Sequence, residues 1–164
     1  MSKGKSKKAT ETATVRGCVD LLDTVRGWHA AENNEGASLA ELWAFSPAIL
    51  HGLDGTHAEK VGAGIDVYDL LDDWRAGEIA RPEGCYAVAL VTWGWAAPIN
   101  ATTGEPDTAP SEHAERRRVR LVSCVDHDGR AFSRIHFADT GETADDEGEA
   151  RGPLAQAMRA AFTR

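Results

Sequence analysis

The sequence predicts an α+β fold, with a small antiparallel sheet of about three strands within residues 85–138 packed with three N-terminal helices and one C-terminal helix. Three observations point there. Residues 86–92 carry apolar side chains at odd and even positions alike, as a strand covered on both faces does. Asp128-Gly129 separates two strand-like runs, 116–125 and 130–137, and glycine tolerates the positive φ of a tight hairpin turn. Apolar residues at three-and-four spacing mark helices before and after the sheet.

The elements follow in chain order. Residues 1–12, rich in Lys, Ser and Thr, read as a disordered basic tail, and residues 13–164 as a single domain. Val15, Cys18, Val19, Leu22 and Val25 form one face of a first helix that fades at residues 32–36, with Trp28 and His29 near its end. Ser38-Leu39-Ala40-Glu41 has the form of a capping box, in which serine accepts from the Glu41 amide and the glutamate reaches back. It predicts a second helix with Leu39, Leu42, Trp43 and Phe45 on its apolar side, interrupted near Ser46 by Pro47 and extended by Ile49, Leu50 and Leu53.

Asp66 caps a third helix, Asp69 lies in its first turn, and Ile65 is placed to staple onto Leu70. Its buried stripe is Val67, Leu70, Leu71 and Trp74, and Gly77 ends it. The preceding Gly62-Ala63-Gly64 is no dinucleotide fingerprint: Val67 stands where the third glycine belongs, and no Gly-Lys-Ser/Thr follows. Arg81-Pro82-Glu83-Gly84 is a turn, and the sheet starts after it.

Trp93 and Trp95, two apart on one strand, share a face and leave Gly94 on the other. Residues 99–115 form a long connection without structure of its own, the kind that commonly carries function. With Asp128 and Gly129 as the hairpin loop, Val122 lies opposite Ile135, Val125 opposite Phe132 and Leu121 opposite His136. Residues 139–152, with Glu142, Asp145, Asp146, Glu147 and Glu149, read as an acidic mobile loop. Pro153 opens a C-terminal helix whose Leu154, Met158, Ala161 and Phe162 pack on the sheet.

Composition narrows the function. A chain of 164 residues buries about two thirds of its unfolded surface, so stability calls for no metal, disulfide or cofactor. No apolar run approaches the roughly 18 residues of a membrane span, and no apolar region follows the basic start as in a signal peptide, so the expected compartment is the cytoplasm. Cys18, Cys85 and Cys124 are widely spaced among apolar residues and read as reduced core side chains. The net charge is −8, and the first eight residues hold four of the 18 basic side chains, so the body repels phosphate backbones.

The candidate partner-binding residues are Trp93, Trp95, His113, Arg116, Arg117 and Arg118, where two indoles, the long loop and an arginine run meet. The run is expected to pair internally with the acidic segments, ahead of the alternative in which Arg117 and either Trp93 or Trp95 form an anion or base platform. His51, Asp54 and His57 form a weak metal motif, since on a helix His57 leaves the face that His51 and Asp54 share, and two glycines favour a turn. A protein-binding module is therefore the leading reading. Behind it stand a metal-dependent hydrolase or nuclease drawing on His51, Asp54, His57, His127, Asp128 and His136, and a nucleic-acid partner for the lysine tail and arginine run.

Gly94-Trp95-Ala96-Ala97-Pro98, then Ser111-Glu112-His113-Ala114-Glu115-Arg116-Arg117-Arg118-Val119-Arg120-Leu121, then Gly152-Pro153-Leu154, resemble a family of small uncharacterised proteins from high-GC bacteria. The resemblance covers about the last half of the chain and implies no function and no functional residue.

Overall fold

The computed structural model describes residues 13–27, 39–98, 100–104, 108–147 and 153–162. The α+β class holds, but the described residues form one sheet of six antiparallel strands and three α-helices, not about three strands and four helices. In chain order these are α1 (Val15–Arg26), β1 (Ala40–Pro47), β2 (Thr56–Gly64), α2 (Val67–Ala76), β3 (Ala87–Ala96), β4 (Arg117–Asp126), β5 (Ala131–Phe137), β6 (Thr143–Glu147) and α3 (Pro153–Phe162). Across the sheet the order is β2-β1-β3-β4-β5-β6, which makes β3 an interior strand.

The expected second helix is β1. Its apolar residues serve two faces at once: Leu42 and Ala44 join the core under α2 and α3, while Trp43 and Phe45 join the core under α1. A strand buried on both sides has the same continuous apolar content as a buried helix, so the pattern alone does not separate them. Glu41 caps no helix. Its carboxylate instead accepts from Arg26 Nε (2.9 Å) and Nη2 (3.0 Å) and from Trp43 Nε1 (2.8 Å).

β2 lies where no strand was expected, after the turn that Gly52 and Gly55 make, and its glycines have a packing reason. A Cβ on Gly62 would lie 3.1 Å from Ile79 Cδ1, and one on Gly64 would lie 3.5 Å from Leu70 Cδ2, so these glycines let α2 approach the edge strand. β6 occupies part of the segment expected to be a loop, residues 139–152; residues 148–152 lie outside the described ones, as do the basic tail, Trp28, His29 and Ser38.

Local signals do fix α2 and the start of α1. Asp66 accepts from the Tyr68 amide at 2.7 Å, Gly77 closes α2 in the left-handed region, and Thr14 accepts from the Gly17 amide at 3.0 Å. Ile65 is 93% exposed and staples nothing. α1 ends at Arg26, earlier than expected, because Gly27 turns the chain at φ 74°. On its face of the sheet α1 buries Cys18, Val19 and Leu22 against Phe45, Val91, Val122 and Phe132. On the other face α2 and α3 bury Leu70, Trp74 and Met158 against Leu42, Val88 and Leu90. Each such large apolar side chain contributes about 1.5–3 kcal/mol.

The β4–β5 hairpin is one residue out of the expected register. Leu121 opposes Ile135, Val122 opposes Arg134 and Cys124 opposes Phe132. The turn has three residues, since Asp126 and Arg130 close it backbone to backbone (3.0 Å). Asp126 Oδ1 accepts from the amides of Asp128 (3.0 Å) and Arg130 (2.9 Å), and Gly129 takes φ 84°.

Candidate functional site

The end of β3 and the start of β4 lie beyond the end of α1, and there the sheet carries a row of alternating indoles and guanidiniums. Trp95 pairs with Arg118 and Trp93 with Arg120 across the two strands, so all four side chains project to the α1 face. Arg118 stands between the rings, its guanidinium carbon 5.4 Å from the centre of Trp93 and 5.3 Å from that of Trp95. Arg116 lies against Trp95 at 4.9 Å. The result is a ladder, Trp93–Arg118–Trp95–Arg116, with Trp93 half-buried and Trp95 39% exposed.

Strand alternation sends Arg117 the other way, away from the indoles of the alternative reading and toward the acidic segment. Its guanidinium lies 4.0 Å over the Phe137 ring and binds Asp139 in bidentate fashion, at 2.8 and 2.7 Å. That pairing holds the Asp139 carboxyl below the usual carboxylate range. His113 caps the 3₁₀ turn Pro110–Glu112 and accepts from the Glu115 amide through Nδ1 at 3.0 Å. Its carbonyl receives the Arg116 amide (3.2 Å) and Nη1 (3.2 Å), so His113 positions one rung of the ladder.

Arg120 continues the row inward and is 1% exposed. It donates to Asp23 Oδ1 (3.2 Å) and to the Gly27 carbonyl (3.0 Å) at the end of α1. Beside it on β5, Arg134 reaches Asp145 (2.7 Å), Asp20 (2.8 Å) and Asp23 (2.9 Å), and His136 Nε2 approaches Asp23 Oδ1 to 3.3 Å. Burial alone would raise the Asp23 carboxyl, but His136, Arg134 and Arg120 outweigh it and hold it below the usual range. With the Arg26–Glu41 pair, this cluster fastens the last turns of α1 to β1, β4, β5 and β6. Sequence reasoning missed Asp20, Asp23, Arg134 and Asp145 as a group. The available signal was Asp20 and Asp23 three apart on a helix, and Arg134 and His136 alternating with apolar residues on a strand.

On the opposite face of the same strands, an open apolar groove of about 370 Å³ runs over Thr92, Gly94, Ala96, Val119, Leu121 and Ile135. A smaller hollow of about 240 Å³ adjoins it at Ala96, Ala97, Pro98, Glu115, Arg117 and Phe137.

Of the metal motif, only Asp54 and His57 have described side chains. His57 lies on β2, Asp54 is in the exposed turn before it, and the His51 side chain lies outside the described residues. His127 and Asp128 occupy the β4–β5 turn, and His136 faces Asp23. Among the described residues no three His, Cys, Asp or Glu side chains form a group that could hold a metal ion. No protein-family model, curated protein or solved structure matches this chain.

Proposed function

We propose that this protein is a non-enzymatic cytoplasmic module that binds a protein partner through the Trp93–Arg120 region. One observation carries the reading. Trp95 is held 39% exposed between two guanidiniums at the end of β3. Trp and Arg dominate the energetic centres of protein interfaces, and here both are fixed on adjacent strands, so little conformational entropy is lost on binding. The half-exposed Val25 and Leu39 support it further. The first precedes Arg26 and the second precedes Glu41 by two residues, so the Arg26–Glu41 pair brings their segments together at the same end of the sheet.

A metal-dependent reading draws no support from the placement of the described histidines. A nucleic-acid reading meets a different obstacle, because bases bind such platforms by stacking, and the faces of Trp95 are taken by Arg116 and Arg118. No described helix is long and apolar enough to cross a membrane. The test is affinity capture from the source lysate with the full chain and with Trp95→Ala, after thermal melts show that the variant stays folded. A partner captured by the full chain should bind the variant at least about ten-fold more weakly. Equal capture of the same partners by both proteins sinks the reading.

A further inference from the structure

The arginine run divides its charges unevenly. Arg117 has Asp139 and Arg120 has Asp23, whereas among the described residues neither Arg116 nor Arg118 has a carboxylate partner. These two are the rungs of the ladder. Arg118 lies in β4 and Arg116 immediately precedes that strand, both against Trp95, so their anchor points are at most about 7 Å apart. Arg118 lies against both indoles and Arg116 against Trp95, and a guanidinium is the group that takes carboxylates two hydrogen bonds at a time.

We infer that the ladder docks an extended acidic segment of a partner protein, with carboxylates at every second residue, one seated on Arg116 and the next on Arg118. The inference rests on the protein-binding reading above and adds the chemistry of the partner. An extended chain repeats its side chains on one face about every 7 Å, so one segment reaches both arginines. The acidic segment also fits the charge balance. A short peptide brings two or three negative charges into contact with two uncompensated positive ones, while a nucleic acid brings a phosphate at every step against a body of net charge −8. Trp95 and Trp93 then supply the apolar margin that keeps water from the ion pairs.

The experiment uses the full chain and labelled ten-residue peptides of equal composition, one alternating Glu and Val and one with all its Glu in a block, read by fluorescence anisotropy. A deoxythymidine decamer serves as the third probe. The alternating peptide should bind at least about ten-fold more tightly than the block peptide. Arg116→Gln and Arg118→Gln should each weaken it about ten-fold, and Arg118→Lys, which keeps the charge without the fork, should weaken it measurably. Arg117→Gln, on the other face, should leave it unchanged. Melting curves confirm that each variant is folded. Equal binding of the two acidic peptides, an equal loss from Arg117→Gln, no binding of either peptide, or tighter ladder-dependent binding of the decamer overturns the proposal. Should partner capture depend on Trp95 while no acidic peptide binds, the protein-binding reading stands and this partner chemistry falls. Should capture be indifferent to Trp95, the reading itself falls.

Discussion

Replacing Asp23 by alanine tests whether the charged cluster holds α1 on the sheet. Considered as a helix alone, α1 should gain from the change: alanine is the better helix former, by up to about 0.7 kcal/mol, and a carboxylate in the last turn opposes the helix dipole. The tertiary structure reverses the sign. Arg120, with a side chain 1% exposed, loses its Asp23 carboxylate, and Arg134 loses one of its three. Removing one partner of a buried ion pair costs about 3–5 kcal/mol, and the 24% exposure of Asp23 together with the surviving Arg120 bond to Gly27 sets the expectation near the lower end, about 3 kcal/mol. Asp20→Ala, at a 57% exposed carboxylate, should cost less than about 1 kcal/mol. Urea unfolding followed by tryptophan fluorescence measures both. Because replacing both charges by apolar groups is often neutral, Asp23→Leu with Arg120→Met should return to within about 1 kcal/mol of the parent. The pH dependence has a definite sign. A depressed folded pKa means that the unfolded chain binds the proton first, so Asp23 stabilises above its unfolded value of 3.8 and that stability is lost as the pH falls through its lower folded value. Between about pH 5 and pH 2 the stability of Asp23→Ala should therefore fall less steeply than that of the parent. A loss under about 0.5 kcal/mol, or a double variant no better than Asp23→Ala, refutes the clamp.

Two further outcomes follow from single sites. Burial raises the Tyr86 phenol to about 12, and its oxygen lies 2.6 Å from the Thr56 hydroxyl, so the unfolded chain should ionise first and stability should fall from about pH 10 upward; ultraviolet titration should show one tyrosinate emerging near pH 12, lost in Tyr86→Phe. A Cβ at Gly94 would meet nothing within 4 Å, so Gly94→Val should enter the open groove and stabilise β3 by about 0.5–1 kcal/mol in urea unfolding.

What could be read from the sequence depended on whether the information was local. α2 was legible because Asp66, Asp69 and Gly77 act within one turn of the helix they bound, and α3 because Pro153 and its apolar spacing need no distant partner. The shared face of Trp93 and Trp95 followed from strand alternation alone. β1 was not legible, since its second covered face depends on α1 packing from across the chain. β2 and β6 are edge strands with weak apolar patterns. β6 holds its place through Asp145, which accepts from Arg134 on β5, and β2 through glycines that admit Leu70 and Ile79.

The candidate site shows the same limit more sharply, because it turns on one residue of register. Had Asp128 and Gly129 alone formed the turn, Val122 would oppose Ile135 and Leu121 would oppose His136. In an antiparallel pair opposed side chains share a face, so that register would place Arg134 and His136 on the groove side with Leu121, away from Asp23. Asp126 prevents it. By accepting from two amides of the turn it sets a three-residue loop, which aligns Arg120 with His136 and Val122 with Arg134 on the α1 face. Asp23 can then engage both guanidiniums, and Arg120 is used up internally. Arg117 is removed in turn by strand alternation and Asp139. Of the arginines at 116, 117, 118 and 120, this leaves Arg116 and Arg118, the two stacked on the indoles, to meet a carboxylate from outside the described residues.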